Sequence, residues 1–192
     1  MAKGAKNKAN NEIDFGTAFK YPFNRPIGLL NIFWILVPII GWFALMGYSI
    51  RIIKNFVKGD FKELPLFNFS QDFNLGFFMF LKMIPFIIVI ATVNFVLALI
   101  PFVGFLANLF ISLFIVPILF INFFVKETIQ SYFEFNIIKH VFDNFGDYII
   151  VILKSLVLGI IFLILIIVLV GIPAGSFTKN IFFADFYRRH IR

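Results

Sequence analysis

Apolar and charged positions alternate in long blocks along this chain. Three runs contain no Asp, Glu, Lys or Arg: residues 26–50, 83–125 and 155–178, of 25, 43 and 24 residues. As one α-helix the second would extend roughly 64 Å at 1.5 Å per residue, against a hydrocarbon core about 30 Å thick. It therefore has to turn back. Its middle, IPFVG at residues 100–104, supplies the means: Pro101 removes a backbone donor and Gly104 tolerates turn dihedrals. A break there leaves 18 residues before it and 21 after it, each about one span.

The other two runs carry related pairs, Pro38 with Gly41 and Pro173 with Gly175. The segments leading into the first and third runs also align, FKYPFNRP (residues 19–26) with IKHVFDNF (residues 138–145). The expected plan is an all-α, polytopic membrane protein of three helical hairpins, repeated within the chain, with four to six membrane segments. Residues 1–12 form a basic tail, disordered to about Asn11. Residues 13–192 form a single membrane domain, with hairpin-like units at about 13–62, 66–126 and 132–192. The first ascending arm, residues 26–37, is short: about 18 Å as an α-helix. The last descending segment carries Lys179 and Asp185, the plausible buried charges, and is either a bundle-facing span or a surface helix.

Composition supports lipid as the solvent. Of 192 residues 61% are hydrophobic and 31 are Phe, where a soluble domain rarely exceeds roughly half. The start lacks the short apolar core and small-residue site of a removable signal peptide. There is no cysteine, so disulfide and thiolate chemistry are excluded.

Charge orients the plan. With three hairpins, Lys3, Lys6, Lys8, Lys20, Arg25, Arg51, Lys54, Lys58, Lys62, Lys82, Lys126, Lys139, Lys154, Arg188, Arg189 and Arg192 share one side. The positive-inside rule makes that side cytoplasmic, with both termini there and the chain in the cell membrane. All five tyrosines lie within three residues of a charge, which suits an inner headgroup boundary, and Trp34 and Trp42 bracket the first tip. Phe133, Ile137, Ile138, Val141, Phe142 and Phe145 share one helical face opposite Glu134, Lys139, His140 and Asp143, the pattern of an interfacial helix or of ordinary packing.

The net charge of +7 on one face suits anionic headgroups or a partner, with Arg51, Lys54, Lys58, Lys139, Arg188 and Arg189 as candidate contacts. The blander reading is charge that only sets topology. No nucleic-acid motif accompanies it. His140 and His190 are 50 residues apart and have no ligand spacing around them, so no metal or cofactor is expected. G-x-S-x-G, P-loop, H-E-x-x-H and Rossmann patterns are missing. Asn108, Ser112 and Asn122 are expected to pair across helices. The expected role is non-enzymatic: a membrane-embedded interaction or assembly component, as a homo-oligomer or with a membrane-protein partner. The alternative is a carrier or channel for an uncharged or lipid-like solute.

At residues 47–67, GYSIRIIKNFVKGDFKELPLF, the chain resembles a family of prokaryotic, often archaeal, multi-pass membrane proteins, domain of unknown function 4013. The shared elements are Tyr21-Pro22-Phe23, Gly47, Tyr48, Arg51, Gly59, Leu64 and Pro65. The resemblance runs from about Asp14 to Arg189 and implies location and architecture, with no activity. Physically, Gly47 permits close helix contact, Tyr48 suits an interface, Arg51 can snorkel to phosphate, and Leu64-Pro65 ends a loop.

Overall fold

The longest charge-free stretch does fold back on itself. In the computed structural model, which describes residues 12–192, helix α3 (Phe69–Ala98) rises to a turn at Leu99 and Ile100. Helix α4 (Pro101–Phe110) then returns, through one turn of π-helix at Ile111–Ile115, into α5 (Val116–Lys126). Pro101 occupies the first helical position, where its missing N–H costs nothing. A Cβ on Gly104 would lie 1.8 Å from the Leu97 carbonyl oxygen, so glycine lets the two arms meet.

Before this hairpin come α1 (Phe15–Lys20), an 11-residue 3-10 helix (Pro26–Leu36) and α2 (Ile40–Val57). After it come two short 3-10 turns (Ile129–Phe133 and Phe135–Ile137), α6 (Ile138–Asp143) and α7 (Phe145–Ile164). The chain ends with α8 (Gly171–Thr178) and α9 (Ile181–His190). No strand occurs among the described residues. The basic tail expected at residues 1–12, with Lys3, Lys6 and Lys8, lies outside them except for Glu12.

Among the described residues three helices are long and apolar enough to cross a bilayer: Phe69–Ala98, Pro101–Lys126 and Phe145–Val168. This is a polytopic helical membrane protein. The short first arm gains length by its winding: 11 residues rise about 22 Å at 2.0 Å each. A 3-10 helix stacks every third side chain, and the sequence matches that period. Ile27, Leu30, Phe33 and Leu36 are exposed, while Gly28 is buried and Asn31 and Trp34 are half-buried.

The first turn contains Pro38 and has Ile39 at φ 64°, with Gly41 at the start of α2. The third turn differs from expectation. It lies at Leu169 (φ 59°) and Val170, before Pro173 and Gly175. Pro173 instead fills the first turn of α8, where no intrahelical donor is needed. Gly171, where a Cβ would lie 2.0 Å from the Phe162 carbonyl oxygen, makes the close approach of the two arms, and Gly175 lies within α8.

The expected single face from Phe133 to Phe145 is broken into 3-10 turns and the six-residue α6. Tyr132 explains the break. Its ring is clamped between Phe86 and Phe123, centroids 4.0 and 3.9 Å away, which pulls the segment into the bundle. Phe135, Phe142 and Phe145 remain exposed.

Helices α2 and α3 pack backbone to backbone. A Cβ on Gly47 would lie 1.8 Å from the Asp72 carbonyl oxygen, and one on Gly76 1.9 Å from that of Phe43. Without side chains between them the helices reach close van der Waals contact, the main source of helix affinity where both sides of the comparison are apolar. Phe43 seals this crossing with edge contacts to Phe73 and Phe77. Gly47→Ala or Gly76→Ala should force the helices apart and cost about 1–3 kcal/mol by overpacking, read as a lower melting temperature in detergent. Unchanged melting in both variants would show that the crossing is not tight.

Candidate functional site: the charged end of the bundle

Nearly all ionised side chains gather away from the apolar turns, and most are paired. Asp72, in the first turn of α3, is fully buried. Its Oδ1 accepts from Arg51 Nε at 2.5 Å, and its Oδ2 from Arg51 NH2 at 2.8 Å and the Asn68 amide at 2.9 Å. The same guanidinium donates to the Leu66 carbonyl at 2.7 Å. Arg51, read from sequence as a headgroup contact, is thus turned inward to clamp α2, the Leu66 loop and α3. Tyr48, one turn earlier, donates to the Pro65 carbonyl at 3.0 Å.

Asp185 is the second buried carboxylate, 1% exposed. Its Oδ1 accepts from Arg188 NH2 at 2.6 Å, and its Oδ2 from Arg189 Nε at 3.0 Å and the Ile13 amide at 3.2 Å. Arg189 NH1 continues to Asp147 Oδ2 at 2.7 Å, which also meets His190 Nε2 at 2.6 Å. Arg188 lies over the Phe61 ring, 5.8 Å from its centroid. Helix α9 therefore faces the bundle and is no surface helix: Ile181, Phe182, Ala184, Phe186 and Tyr187 are buried with Asp185.

A third knot closes α5. Glu127 sits in the left-handed region (φ 56°), where a helix more often places glycine. Its carboxylate takes the Lys54 ammonium and its carbonyl accepts from Lys82 Nζ at 2.9 Å. Two lysines at a helix C-terminus also meet its negative end. Nearby, Asn122 joins three segments through Ser131, Glu134 and the Tyr187 hydroxyl, at 2.7, 3.0 and 2.6 Å. Asn122 thus makes the cross-helix pairing expected of it, while Asn108 and Ser112 bond each other at 3.2 Å on an exposed face. The Lys126 ammonium and the Asn122 amide hold the Glu134 carboxyl below its ordinary pKa.

The five tyrosines, expected at headgroup depth, are all buried. Tyr48 and Tyr148 donate to backbone carbonyls, Tyr148 at 2.9 Å to Leu113 within the π-turn, and Tyr187 donates to the Asn122 side chain, whereas the Tyr21 and Tyr132 hydroxyls are buried without a hydrogen-bond partner among the described residues. Among the candidate contacts, Lys58 and Lys139 are exposed and, like Lys20 and Lys62, take no ion-pair partner among the described residues. Arg51, Lys54, Arg188 and Arg189 are engaged inside the bundle. Sequence reasoning missed Asp72 and Glu127. An acid four residues after the N-cap Asn68, in the first turn of α3, was the available signal for Asp72.

A family model described as "Protein of unknown function (DUF4013)" matches residues 30–171. That range includes Gly47, Tyr48, Arg51, Gly59, Leu64 and Pro65 and omits Tyr21-Pro22-Phe23. No curated protein and no solved structure matches the chain.

Asp185→Asn should leave two arginines without their buried counter-charge and cost on the order of 3–5 kcal/mol; Asp72→Asn should do the same to Arg51. Lys139→Gln, at an exposed unpaired site, should stay within about 0.5 kcal/mol. Thermal unfolding in detergent distinguishes these, and equal melting of all three variants would remove the carboxylates from any structural role.

Proposed function

The chain belongs to the DUF4013 family, and from that premise we propose that it is a non-enzymatic component of the cell membrane that presents a basic inner face to anionic headgroups and to a partner. The observation that carries this reading is the division of labour among the cations. Those bound to Asp72, Asp185, Asp147 and Glu127 shape the bundle. Lys20, Lys58, Lys62 and Lys139 remain exposed and supply positive charge outward. Each such residue near an anionic surface contributes about 1 kcal/mol, weakened by salt. The same asymmetry supports an orientation with both chain ends in the cytoplasm and the turns at Pro38, Pro101 and Leu169 outside, since basic residues resist translocation. Three internal repeats, each a lead-in segment and a hairpin, fit this arrangement.

The alternative, a carrier for a lipid-like solute, draws on one observation: an apolar crevice of about 470 Å³ opens between α2, α5 and the α8–α9 arm.

The chain has no cysteine, so single introduced cysteines map its orientation. Phe102→Cys and Leu169→Cys should label with an impermeant maleimide from outside, and Lys58→Cys only after the membrane is opened. Crosslinking in native membranes should yield a defined oligomer or a fixed partner. The combined variant Lys58→Glu, Lys139→Glu should retain less anionic lipid through purification than the parent chain. Outside labelling at Lys58, or a strictly monomeric protein that moves a solute in liposomes, would overturn the proposal.

A further inference from the structure

The descending arm after the third turn is discontinuous. Helix α8 stops at Thr178, whose hydroxyl turns back to the Ala174 carbonyl at 2.5 Å. Helix α9 starts at Ile181, and its N-cap Asn180 makes no side-chain capping bond. Lys179 stands in the gap. It is exposed, and its ammonium has no hydrogen-bond or ion-pair partner among the described residues. By helical rise it lies about 15 Å beyond the apolar turn at Leu169, half the thickness of a hydrocarbon core.

Its surroundings are mostly hydrocarbon. The crevice of about 470 Å³ is walled by Met46, Ile50 and Ile53 of α2, Phe120 and Phe124 of α5, and Phe177. The size falls in the range of small-molecule sites. Lys179 lies on its edge beside Ser49, Ser176 and Asn180. Two further apolar clefts meet at the same lysine, one against Leu158 and Phe162 of α7, the other against Trp42 and Ile35.

We propose that this crevice binds an anionic lipid, with its phosphate or carboxylate on Lys179 and a hydrocarbon chain along the apolar wall. An ammonium group among apolar side chains needs a counter-charge, and the described residues supply none. Asp72, Asp147, Asp185, Glu127 and Glu134 are each bound to other cations. The uncapped start of α9 adds unpaired amides and further positive potential beside the lysine. Ser49, Ser176 and Asn180 provide hydroxyl and amide donors for the remaining oxygens of the headgroup. Charge complementarity thus selects an anion, and the apolar walls select one that carries a tail. The site differs from the basic inner face, where exposed lysines meet headgroups from water.

Trp42 borders the site and gives it an optical reporter. The chain has two tryptophans, so Trp34→Phe isolates the signal. In nanodiscs of neutral phosphatidylcholine, brominated phosphatidic acid should quench Trp42 saturably and more strongly than brominated phosphatidylcholine at equal mole fraction. Lys179→Gln should weaken the apparent affinity about five-fold, as loss of one charge contact does. Lys179→Arg should retain it, and Lys139→Gln should leave it unchanged. If Trp34→Phe folds poorly, native mass spectrometry of the chain with both tryptophans serves instead: one retained phosphatidic acid should disappear in Lys179→Gln. Equal quenching by both lipids, or a preference that survives Lys179→Gln, overturns the proposal. So does a change of oligomer mass in Lys179→Gln without any lipid preference, because Lys179 would then face an acid of a second copy. Loss of the proposed inner-face function in Lys58 and Lys139 variants leaves this result unaffected.

Discussion

A carboxylate taken out of water costs several kcal/mol unless its charge and its lone pairs are met inside the protein. Asp72 and Asp185 are both in that position, and the architecture follows from how each is satisfied. Asp72 gathers α2, the loop before α3 and α3 itself onto one side chain. Asp185 gathers α9, α7 through Arg189 and Asp147, and the segment at Ile13. Each carboxylate therefore ties together pieces of chain whose helices have little reason to associate in an apolar solvent, where the hydrophobic effect between them vanishes.

Between these two anchors the remaining contacts are of shape. Gly47 and Gly76 bring two backbones together, and aromatic rings fill the spaces beside them. Tyr132 between Phe86 and Phe123 does the same where α3, α5 and the segment after α5 converge. The hairpin arms farther from the charged end are different. Phe102, Phe105, Ile167 and Leu169 are exposed, because lipid offers them the environment that a core would. The molecule is thus tightly determined at one end and loosely packed at the other.

That contrast explains what the sequence disclosed. Charge-free length forced the second run to double back, and Pro101 and Gly104 marked the place. Local chemistry carried that inference, so it held. The third turn was misplaced by a few residues because proline is equally at home in a turn and in the first turn of the helix after it, and Pro173 takes the second role. The 3-10 winding of residues 26–36 was written in a three-residue period that a search at 3.6 passes over. Arg51 was legible as important and misread in role, since its partner lies 21 residues away and nothing local announces it. Asp185 was recognised as a plausible buried charge, but the Ile13 amide is 172 residues distant. Tyrosines near charges suggested an interface; the structure packs all five into the bundle, two of them on backbone carbonyls.

The contact between Ile13 and Asp185 also has a bearing on biogenesis. Phe15 stacks on Phe182 beside it, and Arg192 reaches the Val57 carbonyl at the end of α2. Contacts between residues near in sequence can form as the chain is made, whereas the one between Ile13 and Asp185 waits for the 172 residues that separate its partners. At 5–20 residues per second the interval is roughly 10–30 s. Throughout it the opening hairpin lacks the contacts by which Asp185 and Arg192 close against Ile13 and the end of α2.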